Sequence, residues 1–85
     1  MSARASKPYH PVIRYDRNSI GDAVEKLRKN LRLTRDGLAA RAQVRGWDIS
    51  QHVIRRIEHG EREVTDIEIR KLAKALGVPV VRLFD

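Results

Sequence analysis

Signals that start and stop α-helices follow one another along most of the chain, and no strand pattern of useful length interrupts them. The first helix is predicted over about residues 19–31, with Asn18 or Ser19 supplying the oxygen that caps its N-terminus. Apolar residues recur along it at helical spacing, and these are Ile20, Ala23, Val24, Leu27 and Leu31. The sequence therefore predicts an all-α fold.

Two more helices have start signals of their own. Thr34 precedes a short helix that ends near Gln43, and its cap is weak because Gly37 stands where a capping box would place Glu or Gln. Ser50 caps a third helix, and Gly60 stops it in the usual position after the C-terminus. Helices 2 and 3 are thus predicted to be short neighbours in sequence.

The fourth helix has the strongest start signal. Thr65 and Glu68 form a capping box, and Val64 and Ile69 can pack around it as a hydrophobic staple. Gly77 ends this helix. A last turn or two after the following proline brings the predicted number of short helices to five.

The chain is predicted to divide into an arm and one compact domain. Residues 1–17 are basic and contain two prolines, so we expect a flexible arm that follows DNA or folds on a partner. Residues 18–85 form the domain. No apolar run reaches the roughly 18 residues that a membrane span needs, and the N-terminus lacks the apolar core of a secretory signal, so we expect an intracellular protein.

The charge of the chain points to an anionic partner. The formal net charge is +7 and lies in residues 1–60, because residues 61–85 carry equal numbers of acidic and basic side chains. Nucleic acid is the commonest polyanion that such a protein binds, while a merely soluble basic protein is the alternative. Cysteine is absent, which excludes disulfides and thiolate metal sites.

Helix 3 carries polar side chains opposite its apolar stripe. With Ile54 and Ile57 inward, at about 100° per residue, the outward side chains are those of His52, Arg55, Arg56 and His59, with Gln51 on the flank. Arginine can bond guanine, glutamine can bond adenine, and a valine can touch the thymine methyl group. The alternative is a face that is only solvated. No Cys, Asp or Glu completes a metal set with the two histidines, so we expect no metal and no cofactor.

Several pieces of sequence stand together in a recognisable order. They are Ile20-Gly21, Leu27-Arg28, Leu33-Thr34, Leu38-Ala39, Ile49-Ser50, Ile54, Arg56-Ile57-Glu58, Gly60, the run Leu72-Ala73-Lys74-Ala75-Leu76-Gly77-Val78, and Leu83-Phe84. Through them, residues 20–84 resemble the phage-repressor and Cro-type helix-turn-helix proteins, often called the xenobiotic-response-element family. Residues 44–49 are longer than the usual turn between helices 2 and 3, and they resemble a branch that has Gly-Trp-Asp-Ile-Ser at this place.

The resemblance implies a compact repressor-like domain that regulates transcription, most often by repression. Helix 3 would enter the major groove of a palindromic operator, and two copies of the chain would bind its two half-sites in the cytoplasm of a bacterial or phage system, at the nucleoid. The implied base-reading residues are Gln51, His52, Val53, Arg55 and Arg56.

Phosphate contacts are expected around helix 3. Arg35 matches a family position that touches the DNA backbone, and the helix N-termini at Thr34 and Ser50 present free N–H groups to phosphate. Side chains beside helix 3 are expected to add to these contacts, namely Arg45, His59 and Arg62. Each has the alternative of being an exposed side chain with no role.

The resemblance also implies two structural features. Arg28 and Glu58 fall where the family places an ion pair between helices 1 and 3. The C-terminal apolar residues Val80, Val81 and Phe84 are the expected dimer interface.

Three alternatives accompany these predictions. Trp47 is expected in the core, with a functional stacking role as the other interpretation. An antitoxin-like module would bind a partner protein, such as a toxin, as well as DNA. A small nuclease using His52 and His59 is disfavoured, since no carboxylate or nucleophile is arranged beside them, so we expect no enzyme activity.

Overall fold

The computed structural model describes residues 17–84, and these residues are helical with no strand among them. The helices are α1 (Arg17–Asn30), α2 (Arg35–Val44), α3 (Gln51–Glu58) and α4 (Asp66–Leu76), followed by a 3-10 helix (Val80–Phe84). The all-α prediction is confirmed. The predicted arm lies outside the described residues except for Arg17, which begins α1.

The described residues form four α-helices, so the prediction of five was wrong. The fifth place is taken by the 3-10 helix, in which the N–H of Arg82 donates to the carbonyl oxygen of Pro79 at 3.0 Å. That bond spans three residues, the spacing of a 3-10 helix. Short helical segments of this length commonly adopt the tighter 3-10 geometry.

Side chains cap three of the helices as the sequence predicts. The hydroxyl of Thr34 accepts from the N–H of Gly37 at 3.0 Å, and that of Ser50 accepts from the N–H of Val53 at 3.4 Å. The capping box at Thr65 is complete, because Glu68 both donates its N–H to the hydroxyl and accepts the N–H of Thr65. These caps fix where α2, α3 and α4 begin.

The two ends of α1 differ from the prediction. The helix starts at Arg17, so Asn18 and Ser19 lie inside its first turn and are not its caps. Leu31 was predicted to belong to the buried stripe but follows the end of the helix and is 42% exposed. Apolar periodicity locates the buried face of a helix but does not locate its termini.

One apolar core joins all five helical elements. Its largest buried side chains are Ile20, Val24, Leu38, Ile54, Ile57, Ile69, Leu72, Leu76 and Leu83. Trp47 is half-buried and packs against this core, and the Nζ atom of Lys71 lies over its ring, 5.8 Å from the ring centroid. The placement agrees with the structural interpretation of Trp47. None of the helices in residues 17–84 is long and apolar enough to cross a bilayer.

The connection between α2 and α3 is held at both ends. The N–H of Trp47 donates to the carbonyl of Ala42 at 3.0 Å, and the amide Nε2 of Gln43 donates to the carbonyl of Ile49 at 2.9 Å. Ile49 is buried directly before the cap of α3. These contacts set the position at which α3 leaves the connection.

Candidate functional site

The polar face of α3 is open to solvent. Ile54 and Ile57 are 0% exposed and point into the core. The side chains on the opposite face are exposed at His52, Arg55 and Arg56, and Gln51 is half-buried in the first turn. We call Gln51, His52, Arg55 and Arg56 the α3 face. Its charge and hydrogen-bonding groups are free to meet a ligand as broad as a duplex.

Val53 differs from the other predicted base-reading residues. It is half-buried and packs against the core between α3 and its neighbours. Part of its apolar surface is therefore already used in folding, which leaves less of it for a thymine methyl group.

Glu58, at the end of α3, is paired with Arg28 of α1. The Nε and Nη2 atoms of Arg28 donate to the two carboxylate oxygens at 2.6 and 3.1 Å, and the Glu58 side chain is 0% exposed. Nη1 of Arg28 donates to the carbonyl of Leu33 at 2.8 Å. The hydrogen bond to Glu58 raises the pKa of Arg28, against the opposing effect of burial. A charged pair thus fastens α3 to α1.

Arg35 meets the same carboxylate from α2. Its Nε atom donates to Oε1 of Glu58 at 2.9 Å, and its side chain is 28% exposed. Arg35, which the sequence predicts to contact phosphate, is therefore ion-paired with a residue of α3 in this structure. Nothing in the sequence indicates this pair, since the two residues lie in different helices and at no characteristic spacing.

An open cleft of about 420 Å³ lies beside Arg35. The N-terminal residues of α2 and α3 line it together, at Thr34 and Gln51. Charged side chains complete its walls, namely Glu25, Arg28, Lys29, Arg35 and Asp36. Both hydroxyl caps, at Thr34 and Ser50, are exposed and bond the N–H groups of their own helices.

Arg62 is committed to a structural contact. Its Nη1 and Nη2 atoms donate to the two carboxylate oxygens of Glu68 at 3.0 and 2.7 Å, and Nη1 also donates to the carbonyl of Glu63. This pairing raises the pKa of Arg62 and lowers the pKa of Glu68. The pair holds the loop between α3 and α4. It also neutralises Arg62 and occupies both of its Nη atoms, so Arg62 is less able to bind a phosphate.

Arg45 and His59 differ from Arg62 in having weaker contacts. Arg45 is exposed and donates to the carbonyl of Arg41 at 3.1 Å. Nδ1 of His59 lies 3.9 Å from a carboxylate oxygen of Glu61. Arg45 directly follows α2, His59 directly follows α3, and both side chains are exposed.

Two further groups of predicted residues have clear placements. In the C-terminal 3-10 helix, Leu83 is buried, while Val80, Val81 and Phe84 are exposed. We call these three the C-terminal patch.

Within residues 17–84, no three His, Asp or Glu side chains are grouped so that they could hold a metal ion.

Comparison with known proteins gives one family and a set of solved structures. The helix-turn-helix family model matches residues 24–83. No curated protein sequence matches the chain. The restriction-modification controller protein C.AhdI from Aeromonas hydrophila is 28% identical, with a TM-score of 0.71 over 81% of this chain and 97% of that chain.

Two more structures show the same fold. The DNA-binding domain of BldD from S. venezulae is 28% identical, with a TM-score of 0.69 over 80% of this chain and 94% of that chain. The controller protein C.Esp1396I, solved as a tetramer with its natural 35-base-pair operator, is 21% identical, with a TM-score of 0.70 over 82% of this chain and 86% of that chain. At that identity the likeness is one of fold.

Proposed function

The chain belongs to the helix-turn-helix family of DNA-binding transcriptional regulators, and from this premise we propose that it represses transcription by binding a palindromic operator with α3 in the major groove. The observation that carries the proposal is the exposure of the α3 face opposite Ile54 and Ile57. A helix fits the major groove, and Arg, His and Gln side chains bond base edges there. The alternative, that the polar side chains of α3 are only solvated and bind nothing, leaves the DNA-binding family of the chain without a DNA-binding surface on this helix.

Base reading is assigned to the α3 face. Arg56 and His52 lie one turn apart on the side of α3 opposite the core, so both point toward the groove floor when the helix docks. Arg55 and Gln51 flank them on one side. Val53 has the smallest part, because it is half-buried.

Backbone binding is assigned to the residues around α3. Arg45 has an exposed guanidinium with no carboxylate partner among residues 17–84, and Arg35 stands with Thr34 at the cleft between the N-termini of α2 and α3. Ser50 and His59 supply further contacts at the two ends of α3. The contribution of Arg62 is reduced by its pairing with Glu68.

Two copies of the chain bind one operator in this proposal. A single α3 contacts few base pairs, and the C-terminal patch offers apolar surface for a two-fold interface. The operator complex of C.Esp1396I, which is a tetramer, supports assembly on DNA for this fold. The half-sites would then lie about 34–36 Å apart, one turn of DNA.

The test is a binding selection on random duplexes, followed by affinity measurements across a range of salt concentrations. We expect enrichment of a palindrome and an affinity for it about 10³-fold or more above that for random duplex. Repression is tested with a reporter gene whose promoter overlaps the selected site. Selection without any enriched sequence would overturn the proposal.

A further inference from the structure

We infer that Arg35 is a positioning residue, which bridges Glu58 to a DNA phosphate and thereby contributes to the discrimination between sequences. The inference rests on the proposed function. It goes beyond the sequence-based expectation, which is a contact between Arg35 and the DNA backbone.

The first step is the geometry of Arg35. Its hydrogen bonds to residues 17–84 use Nε alone, which donates to Oε1 of the fully buried Glu58 carboxylate at 2.9 Å. A guanidinium carries five donors in a planar fork, so four N–H donors on the two Nη atoms remain. The partial exposure of Arg35 and its place in the wall of the cleft make these donors accessible.

The second step is the balance of charge. The single carboxylate of Glu58 meets two guanidinium groups, those of Arg28 and Arg35. Glu25 in the same cleft is paired with Lys29 at 3.1 Å, while Asp36 is exposed and forms no ion pair with Arg35. The negative charge of Glu58 is divided between two guanidinium groups and does not fully neutralise Arg35. An anion that approaches the Nη atoms of Arg35 therefore meets remaining positive charge. In a complex with DNA that anion is a backbone phosphate. A planar guanidinium can donate two parallel hydrogen bonds to the oxygens of a phosphate.

The third step is mechanical. Arg35 belongs to the first turn of α2, whereas Glu58 is the last residue of α3. A phosphate bonded to Arg35 is thus connected to α3 through the guanidinium of Arg35 and the carboxylate of Glu58. Because bidentate base contacts depend on close geometry, a loosened connection affects operator DNA more than random DNA.

The test compares Arg35→Lys, Arg35→Ala and Arg45→Ala by their dissociation constants for the selected operator and for a random duplex. A lysine keeps the charge but has one ammonium group in place of the fork, so it cannot reproduce the bridge. We expect both Arg35 variants to lower the ratio of the two constants on the order of tenfold, equivalent to about 1.4 kcal/mol. Arg45→Ala should weaken both duplexes alike and leave the ratio unchanged.

Two further readouts separate positioning from charge and from folding. The dependence of log K on log salt should keep its slope in Arg35→Lys and become shallower by about one in Arg35→Ala. Asp36→Asn should strengthen binding to both duplexes alike, since it removes a negative charge without touching the bridge. All measurements are made where circular dichroism shows each variant folded.

The outcomes distinguish this inference from the proposed function. If the unmodified chain does not prefer any duplex, the proposed function fails. If the unmodified chain discriminates but the Arg35 variants weaken operator and random DNA by the same factor, the bridge is refuted while the proposed function stands.

Discussion

A β-carbon on Gly21 of α1 would lie 2.6 Å from the carbonyl oxygen of Glu58 in α3, closer than real β-carbons approach such an atom. The carbonyl oxygen of Ile57 would be closer still, and both obstacles are backbone atoms that no side-chain rotation can move. The two helices are therefore in backbone contact at the end of α3. This contact and the Arg28 pair together set how α3 lies on the domain.

Gly21→Ala should destabilise the domain. Alanine favours a helix interior by about 1 kcal/mol over glycine, yet here the added methyl group forces α1 and α3 apart. We expect a net loss of about 2–3 kcal/mol in the free energy of unfolding, measured by urea denaturation.

Gly37→Ala in α2 is the matched control for this substitution. Its β-carbon would meet only side-chain atoms of Leu33 and Thr34, both at 3.3 Å. The free energy of unfolding should stay within about 1 kcal/mol of the unmodified chain. Equal effects of the two substitutions would contradict the backbone contact as the cause.

Glu58→Gln should be among the most damaging substitutions of a charged residue. It keeps the shape of the side chain but leaves Arg28 and Arg35 facing a neutral amide in a buried place. We expect a loss of about 3–5 kcal/mol in the free energy of unfolding, because a buried guanidinium loses its counter-charge. Glu25→Gln, which removes a partly exposed carboxylate paired with the exposed Lys29, should have a small effect. A small loss in Glu58→Gln would show that the arginines find other partners.

The sequence predicts those parts of the fold that depend on neighbours along the chain. The caps at Thr34, Ser50 and Thr65 involve residues three positions apart, so their patterns are visible in the sequence. The start of α1 and the type of the last helix were missed. At Arg17 the apolar stripe has not yet begun, and after Pro79 the segment is too short for its periodicity to separate the two helix types.

In the candidate site, too, the sequence predicts what depends on a single helix and misses what depends on the packing between helices. The outward direction of His52, Arg55 and Arg56 follows from burying Ile54 and Ile57 on one helix, and the structure has that arrangement. Arg35 on Glu58 depends on how three helices pack, as does the closeness of Gly21 to α3. Neither has a sequence spacing that reveals it, although Gly21 is one of the residues that carry the family resemblance.

Arg56→Ala should relax base choice at one position of the operator half-site. Arg56 is exposed on the side of α3 opposite the core, where a bidentate contact to guanine is worth about 1–3 kcal/mol of discrimination. Binding selection with the variant should recover the same operator with that position no longer specified. Arg70→Ala removes an exposed arginine on α4 and should leave the recovered operator unchanged. Loss of affinity without any change in base preference would remove Arg56 from the base-reading set.

Val81→Glu should weaken dimer formation while the monomer stays folded. Val81 is 62% exposed, so a charge there costs little in the single chain but would be buried without a partner in the dimer. We expect the dimer dissociation constant, measured by sedimentation equilibrium, to rise at least about tenfold. Ile67→Glu on α4, at a similar exposure of 59%, should leave it unchanged. If the two variants associate equally, the C-terminal patch is not the interface.

The pair of Arg62 and Glu68 should make stability depend on pH in the acid range. The hydrogen bond from Arg62 is the main cause that lowers the pKa of Glu68 below 4.5 in the folded chain, so the unfolded chain binds that proton first as the pH falls. The stabilisation is therefore complete above pH 4.5 and is lost as the pH drops toward the folded pKa. Glu68→Gln should lower the free energy of unfolding by about 1 kcal/mol near neutral pH, and the difference should shrink as the pH falls below 4.5. Urea denaturation of both chains across this range measures it, and a difference that stays constant would mean that the charge of Glu68 contributes nothing.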